Sequence, residues 1–160
     1  MIFLGVDPGI ATTGYGIVAA KGNRLEMIDY GTIKTAPTAL LPHRLHTLFS
    51  ALKEVIAQHT PTGMAVEELF FNNNAKTALI VGQARGVILL AGEILGQTVL
   101  SYTPLQVKMA VCGYGRADKG QVQDMVKRLL CLKEIPKPDD AADALAIAIC
   151  HAHSHKLKMM

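Results

Sequence analysis

The chain has 160 residues, half of them hydrophobic, with 16 Lys and Arg against 13 Asp and Glu for a formal charge of +3. That length suits one domain spanning residues 1–160 with its own core, and it excludes the two full lobes of a large nucleotide-binding enzyme. So small a positive excess does not by itself announce a nucleic-acid partner; the placement of the charges must decide that.

The N-terminus has no basic start followed by a long apolar run, so it does not read as a signal peptide. Ile2 to Val6 is a short apolar run that predicts a buried strand, broken by Pro8-Gly9. Tyr15 to Ala20 and Leu25 to Lys34 predict two more strands around a Lys21-Gly22-Asn23 turn, which makes an antiparallel meander. Leu45, Leu48, Phe49, Leu52, Val55 and Ile56 recur at helical spacing after Pro42. Met64 to Leu69 predicts a fourth strand, and a long helix is expected from about Lys76 to Leu95. That helix is the most apolar stretch of the chain, yet Gln83, Arg85 and Glu93 argue against a membrane span. Thr98 to Tyr102 predicts a fifth strand, with helices over Leu105 to Val111, Gln121 to Cys131 and Ala141 to about His153. The order mixes a meander with parallel crossovers around one sheet, an α/β class. Cys112, Cys131 and Cys150 are widely spaced, which fits free thiols in a cytoplasmic protein. His151, His153 and His155 alternate in what reads as a fraying end.

Four acids stand where carboxylates need a reason. Asp7 ends the first strand among apolar residues. Glu67 or Glu68 lies in the apolar fourth strand; neighbours on a strand face opposite ways, so only one of them points into a given site. Asp140 and Asp143 open the last helix three residues apart, on one face; Asp139 or Asp140 is also suited to capping that helix. Burying ionised carboxylates costs several kcal/mol, roughly, unless a cation compensates. Carboxylates suit Mg²⁺, and two such ions ~3.5–4 Å apart serve phosphodiester hydrolysis without a covalent nucleophile.

With those residues in view, the chain resembles the RuvC family of Holliday-junction resolvases. Gly5-Val6-Asp7-Pro8-Gly9 with Thr13-Gly14-Tyr15-Gly16 is similar to the family's opening. Val66-Glu67-Glu68-Leu69-Phe70 and Gly82-Gln83-Ala84-Arg85-Gly86 resemble the second block. Gln106-Val107-Lys108, Lys119-Gly120-Gln121-Val122-Gln123 and the run from Asp140 to Ala148 resemble the third and fourth. The resemblance implies an RNase H-like fold with a five-stranded mixed sheet flanked by helices. It implies a homodimer that nicks strands of like polarity in four-way junction DNA during recombination and repair. It assigns catalysis and metal binding to Asp7, Glu67, Asp140 and Asp143, holding two Mg²⁺ ions per site with Mn²⁺ as an expected substitute, and leaves Asp139 as a cap. Lys108 and Lys119 are implied near the scissile phosphate, with Arg85 and Arg116 as further DNA contacts and Phe70 stacking on junction bases. A branch-migration helicase complex of RuvA and RuvB is the implied partner.

The long helix is apolar nearly all round, and Ala78, Gly82 and Gly86 recur every four residues as a small-residue stripe. One face can pack on the sheet; a two-fold copy is the economical cover for the other. Three alternatives are distinguishable. A single-lobe ATP-binding module of the actin or sugar-kinase type shares the Asp-x-Gly strand, and ATP hydrolysis without DNA would favour it. A non-catalytic junction-binding protein fits poorly with four acids. A related nuclease acting on ribosomal RNA precursors lacks the Lys119 to Gln123 block.

Overall fold

The computed structural model describes residues 1–69 and 74–159, with side chains given up to residue 155. The elements follow the order β1 (Ile2–Asp7), β2 (Thr12–Lys21), β3 (Arg24–Lys34), α1 (Leu41–His59), β4 (Gly63–Glu67), α2 (Ala75–Ile94), β5 (Val99–Tyr102), α3 (Pro104–Cys112), α4 (Lys119–Leu129) and α5 (Asp139–Met159). The five strands form one sheet in the order β3-β2-β1-β4-β5. β1, β2 and β3 pair antiparallel as the short turns require, while β4 joins β1, and β5 joins β4, in parallel. This is the five-stranded mixed sheet flanked by helices expected of an RNase H-like fold.

Strand alternation sorts side chains onto two faces. Leu4, Val6, Ile17, Met64 and Val66 point to one face and pack with Leu48, Leu52 and Ile56 of α1 and Ala84, Ile88 and Ala91 of α2. Val18, Ala65 and Tyr102 point to the other, among buried residues of α3, α4 and α5. In β1, Gly5 and Asp7 therefore share the second face; in β4, Glu67 shares it with Ala65.

Local chemistry fixes each helix start. Pro42 stands in the first turn of α1, and Thr60 closes it in a left-handed conformation (φ 43°). Asn74 caps α2 by accepting from Thr77 N–H at 3.3 Å. Capping boxes open both α3 (Thr103 with Gln106) and α4 (Asp118 with Gln121), which satisfies orphan N–H groups reciprocally. α2 has the length and composition of a membrane span, but Ala84, Ile88, Ala91 and Gly92 are buried against the rest of the chain.

α5 lies directly on the sheet because the strands beneath it carry glycines. A Cβ at Gly5 would fall on the Ala144 carbonyl and 2.5 Å from Ala148 N; one at Gly16 would come 2.8 Å from Leu145 N. A Cβ at Gly14 would strike the Asp140 carbonyl. Gly5 pairs with Gly16, and Gly14 with Asp7, so the cross-strand register forms a floor of bare backbone under α5. Residues 149–153 of this helix are packed rather than frayed, contrary to the sequence expectation. His151 is only 3% exposed; its Nδ1 pairs with the Tyr102 hydroxyl at 2.9 Å, and its ring meets Phe3 edge-on at 5.0 Å. His153 Nδ1 donates to the Ala110 carbonyl at 3.1 Å. These contacts make the histidines packing residues.

Gly14→Ala is expected to lower stability by about 1–3 kcal/mol, the usual cost of forcing atoms into a filled core. A thermal melt indistinguishable from wild type would show that α5 is not seated on this floor.

Candidate active site

Asp7, Glu67, Asp140 and Asp143 converge at the carboxyl ends of β1 and β4 and the first turns of α5. The phase of β4 settles the choice the sequence left open: Glu67, not Glu68, shares the α5 face. The convergence registers as mutual electrostatic influence. Burial pushes the Asp7 carboxyl from 3.8 up to about 8, helped by Glu67, Asp143 and Asp140 and opposed by Lys119. Burial likewise lifts Glu67 from 4.5 to about 7, with Asp143 adding to the rise and Lys108 pulling against it. Asp143 is raised by burial and by Asp140 and Asp139, against the pull of Lys119.

Lys119, the first residue of α4, reaches into this group. Its Nζ lies 3.3 Å from Asp143 Oδ2 and 3.4 Å from Asp139 Oδ2. Burial alone would lower its ammonium, but Asp143 and Asp139 outweigh that and hold it above its ordinary value. Asp139 stands inside the first turn of α5 instead of capping it. Its carboxylate takes hydrogen bonds from Gln123 Nε2 (3.1 Å) and Lys137 Nζ (3.2 Å), and these hold it well below the usual carboxylate range, with Lys119 assisting. It is thus committed to protein donors, whereas burial and neighbouring acids make Asp7 and Glu67 hold their protons toward neutral pH.

A cleft of about 210 Å³ opens beside the acids, lined by Glu67, Lys108, Lys119 and Asp143 and by the apolar Pro104, Val107, Val122 and Ala146. Among the described residues, no three acidic, imidazole or thiol groups form a ready-made ion cage. The donor set nevertheless fits hard cations. Every donor is a carboxylate oxygen, the groups repel one another, and a divalent cation offsets that repulsion where Lys119 alone leaves Asp7 raised to about 8.

The expected DNA-contacting residues are not placed together. Lys108 and Lys119 line the cleft. Arg116 lies in the segment between α3 and α4. Arg85 is half-buried, with Nε donating to the Glu67 carbonyl at 3.1 Å and Nη2 to Ser101 Oγ at 2.6 Å. Phe70 lies outside the described residues. Sequence reasoning missed the tie between Asp139, Gln123 and Lys137; the Lys119 to Gln123 block held the signal, because Lys119 and Gln123 lie four apart on one helix face.

Comparison with known proteins adds an independent line. The family model described as crossover junction endodeoxyribonuclease RuvC matches residues 3–151. The crossover junction endodeoxyribonuclease RuvC of Alkaliphilus oremlandii is 56% identical over 154 residues, 96% of this chain and 94% of that one. The Desulforamulus reducens protein of the same name is 59% identical over 152 residues, 95% and 93% respectively. Among solved structures, Thermus thermophilus RuvC in complex with Holliday junction substrate superposes with a TM-score of 0.94 at 39% identity, covering 99% of this chain and 96% of that one. The yeast mitochondrial Holliday junction resolvase shares the fold at 15% identity, with a TM-score of 0.72 over 98% of this chain and 80% of its own.

The raised carboxyls carry a sign that can be measured. Folded Asp7 holds a proton between 3.8 and about 8, where the unfolded chain has released it. The stability this gives is full below 3.8 and is lost as pH rises through about 8. Asp7→Asn should therefore flatten the fall in melting temperature between pH 5 and 8 in chelator, and melt higher than wild type at pH 8 by roughly 2–4 °C for each kcal/mol relieved. Mg²⁺ should raise wild type more than the variant. Coincident melts at pH 8 in chelator would remove the crowding argument.

Proposed function

The chain belongs to the RuvC family of crossover junction endodeoxyribonucleases, and from that membership we propose that it resolves four-way DNA junctions by paired nicks in strands of like polarity during recombination and repair. The observation that carries this reading is the electrostatically coupled group of four carboxylates from β1, β4 and α5, two of which, Glu67 and Asp143, line a cleft with Lys108 and Lys119. Nothing among the described residues favours the single-lobe ATP-binding or non-catalytic alternatives.

The family's nucleases depend on a divalent metal. In this chain Asp7, Glu67, Asp140 and Asp143 would hold two Mg²⁺ ions, with Mn²⁺ as an expected substitute, which when bound activate the attacking water and stabilise the leaving oxygen. The remaining work belongs to the side chains. Lys108 and Lys119 bring positive charge to the edge of an acidic site, which lets a phosphodiester approach carboxylates that would otherwise repel it. Lys119 is already paired with Asp139 and Asp143, so its ammonium is held in place before DNA arrives and loses little freedom on contact. Pro104, Val107, Val122 and Ala146 make one wall of the cleft apolar, and a low-dielectric wall strengthens the charge interactions beside it. Arg116, between α3 and α4, adds a further DNA-contacting cation, and Phe70 is the expected base-stacking residue.

Two nicks need two sites, and α2 supports a homodimer. Its outward side exposes Leu79 at 65%, Leu90 at 55% and Ile94 at 61%. A Cβ built at Gly86, between them, meets nothing within 4 Å. An apolar stripe of this kind on a helix already packed at its back calls for a partner surface, and a two-fold copy matches the pseudo-symmetry of a four-way junction. The exposed side runs along Leu79, Gly86 and Leu90; Gly82, of the small-residue series, instead turns toward Leu69. A branch-migration helicase of RuvA and RuvB is the expected partner assembly.

On a synthetic four-way junction, wild type with Mg²⁺ should cut in symmetric pairs and leave a linear duplex intact. Asp7→Asn should bind the junction with unchanged affinity in chelator and lose cleavage; a variant that cuts at the wild-type rate refutes the ligand role of Asp7. Leu90→Glu should weaken self-association by about tenfold or more, equivalent to 1.4 kcal/mol, in sedimentation equilibrium, and uncouple the paired nicks. Unchanged association would place the dimer contact elsewhere.

A further inference from the structure

Arg85 stands where the sheet runs out. The β1–β4 ladder ends at Val6 opposite Val66, and the β4–β5 ladder at Glu67 opposite Tyr102, after which Glu68 N–H makes one more bond, to the Tyr102 carbonyl at 2.8 Å. The Glu67 carbonyl takes its hydrogen from Arg85 Nε at 3.1 Å, and the same guanidinium donates to Ser101 Oγ on β5 at 2.6 Å. One side chain from α2 thus ties the ends of two strands together. Its planar fork holds both bonds in one rigid geometry, as a single ammonium would not. Its base is also fixed, because the adjacent Ala84 and Ile88 are fully buried. The positive charge that bears on the Glu67 carboxylate is that of Lys108; Arg85 grips the main chain of the residue instead.

We propose that Arg85 is a positioning residue, which sets how Glu67 presents its carboxylate to Asp7 and Asp143 by clamping the Glu67 carbonyl to Ser101, and is not a DNA-phosphate contact. The proposal rests on the reading of Glu67 as a metal ligand. It also gives α2 a double role, because the helix that carries the exposed Leu79–Leu90 stripe holds one wall of the site as well. Whatever docks on that stripe therefore bears on Glu67 through Arg85.

The test combines Arg85→Ala, Arg85→Lys, Ser101→Ala and Glu67→Gln, with junction affinity measured in chelator and single-turnover cleavage measured against Mg²⁺ concentration. Arg85→Ala should leave metal-free affinity unchanged, lower the rate of the bound complex by roughly 10–100-fold and raise the Mg²⁺ concentration at half-maximal rate, as removal of a ligand's supporting partner does. Arg85→Lys should recover only part of the rate. Ser101→Ala, which deletes one hydroxyl, should shift the Mg²⁺ dependence in the same direction by less. If Arg85→Ala instead weakens metal-free binding by roughly tenfold or more while the bound complex cuts at the wild-type rate, the residue is a phosphate contact and the proposal fails. Should Arg85→Ala not fold, Ser101→Ala decides, and a wild-type Mg²⁺ dependence there overturns the clamp. Glu67→Gln tests the underlying reading separately: wild-type cleavage by that variant removes Glu67 from the ligand set whatever Arg85 does.

Discussion

Everything at the site depends on how closely α5 can approach the first two strands. Gly5, Gly14 and Gly16 leave backbone where side chains would stand, and main-chain atoms of Asp140, Ala144, Leu145 and Ala148 occupy that space. The approach is dictated by register as much as by composition: Asp7 sits opposite Gly14 in the β1–β2 ladder, and Gly14 lies beneath Asp140. The acid at the end of β1 and the acids at the start of α5 are therefore brought together by the same cross-strand pair. A residue larger than glycine there would lift the helix, and the carboxylates with it, by a distance that matters in a site where a displacement of 1 Å can cost about 10²-fold in rate.

That closeness sets a conflict which the rest of the site manages. Burial and mutual repulsion hold Asp7 near 8 and Glu67 near 7, so at neutral pH the metal-free protein keeps protons on groups that a hard cation needs bare. Two kinds of compensation are visible. Asp139 and Asp143 share the Lys119 ammonium, and Asp139 adds Gln123 and Lys137. Asp7 has no comparable donor among its influences beyond the opposing pull of Lys119. The acid deepest in the site is the one most in need of a cation, as expected where stability is given up locally for function.

Much of this was legible in the chain itself, for physical reasons. The strands announced themselves through short apolar runs and the helices through 3.6-residue spacing; β4 ends at Glu67, two residues before the end of the run read as a strand. Period-two phase could have separated Glu67 from Glu68 once Ala65 was known to face α5, but that facing is a tertiary fact. The same limit hid the glycine floor, because Gly14 and Gly16 are chain neighbours of Thr13 and Tyr15 and say nothing about a helix more than a hundred residues away. The alternating histidines read as a fraying end because of their place near the terminus; Phe3 and Tyr102 give His151 a packed environment instead. Arg85 entered as a DNA contact through the family resemblance alone, and its two neutral acceptors in β4 and β5 could not be read from the chain.

The sheet separates the proposed metal site from the proposed dimer surface. Its α5 face carries Asp7 and Glu67; its other face carries α1 and α2, with the apolar stripe of α2 turned outward. A nuclease that makes paired cuts has to keep assembly and chemistry in step, yet alternation along β4 sends the side chain of Glu67 to one face only. The main chain of that residue has no such restriction. The Arg85 guanidinium reaches the Glu67 carbonyl from the α2 face while the Glu67 carboxylate lies on the α5 face, so the backbone at the end of β4 is the shortest physical link between the proposed dimer surface and the proposed metal site. A connection made there needs no long chain of coupled side chains: one rigid helix, one fork of hydrogen bonds and one strand end suffice.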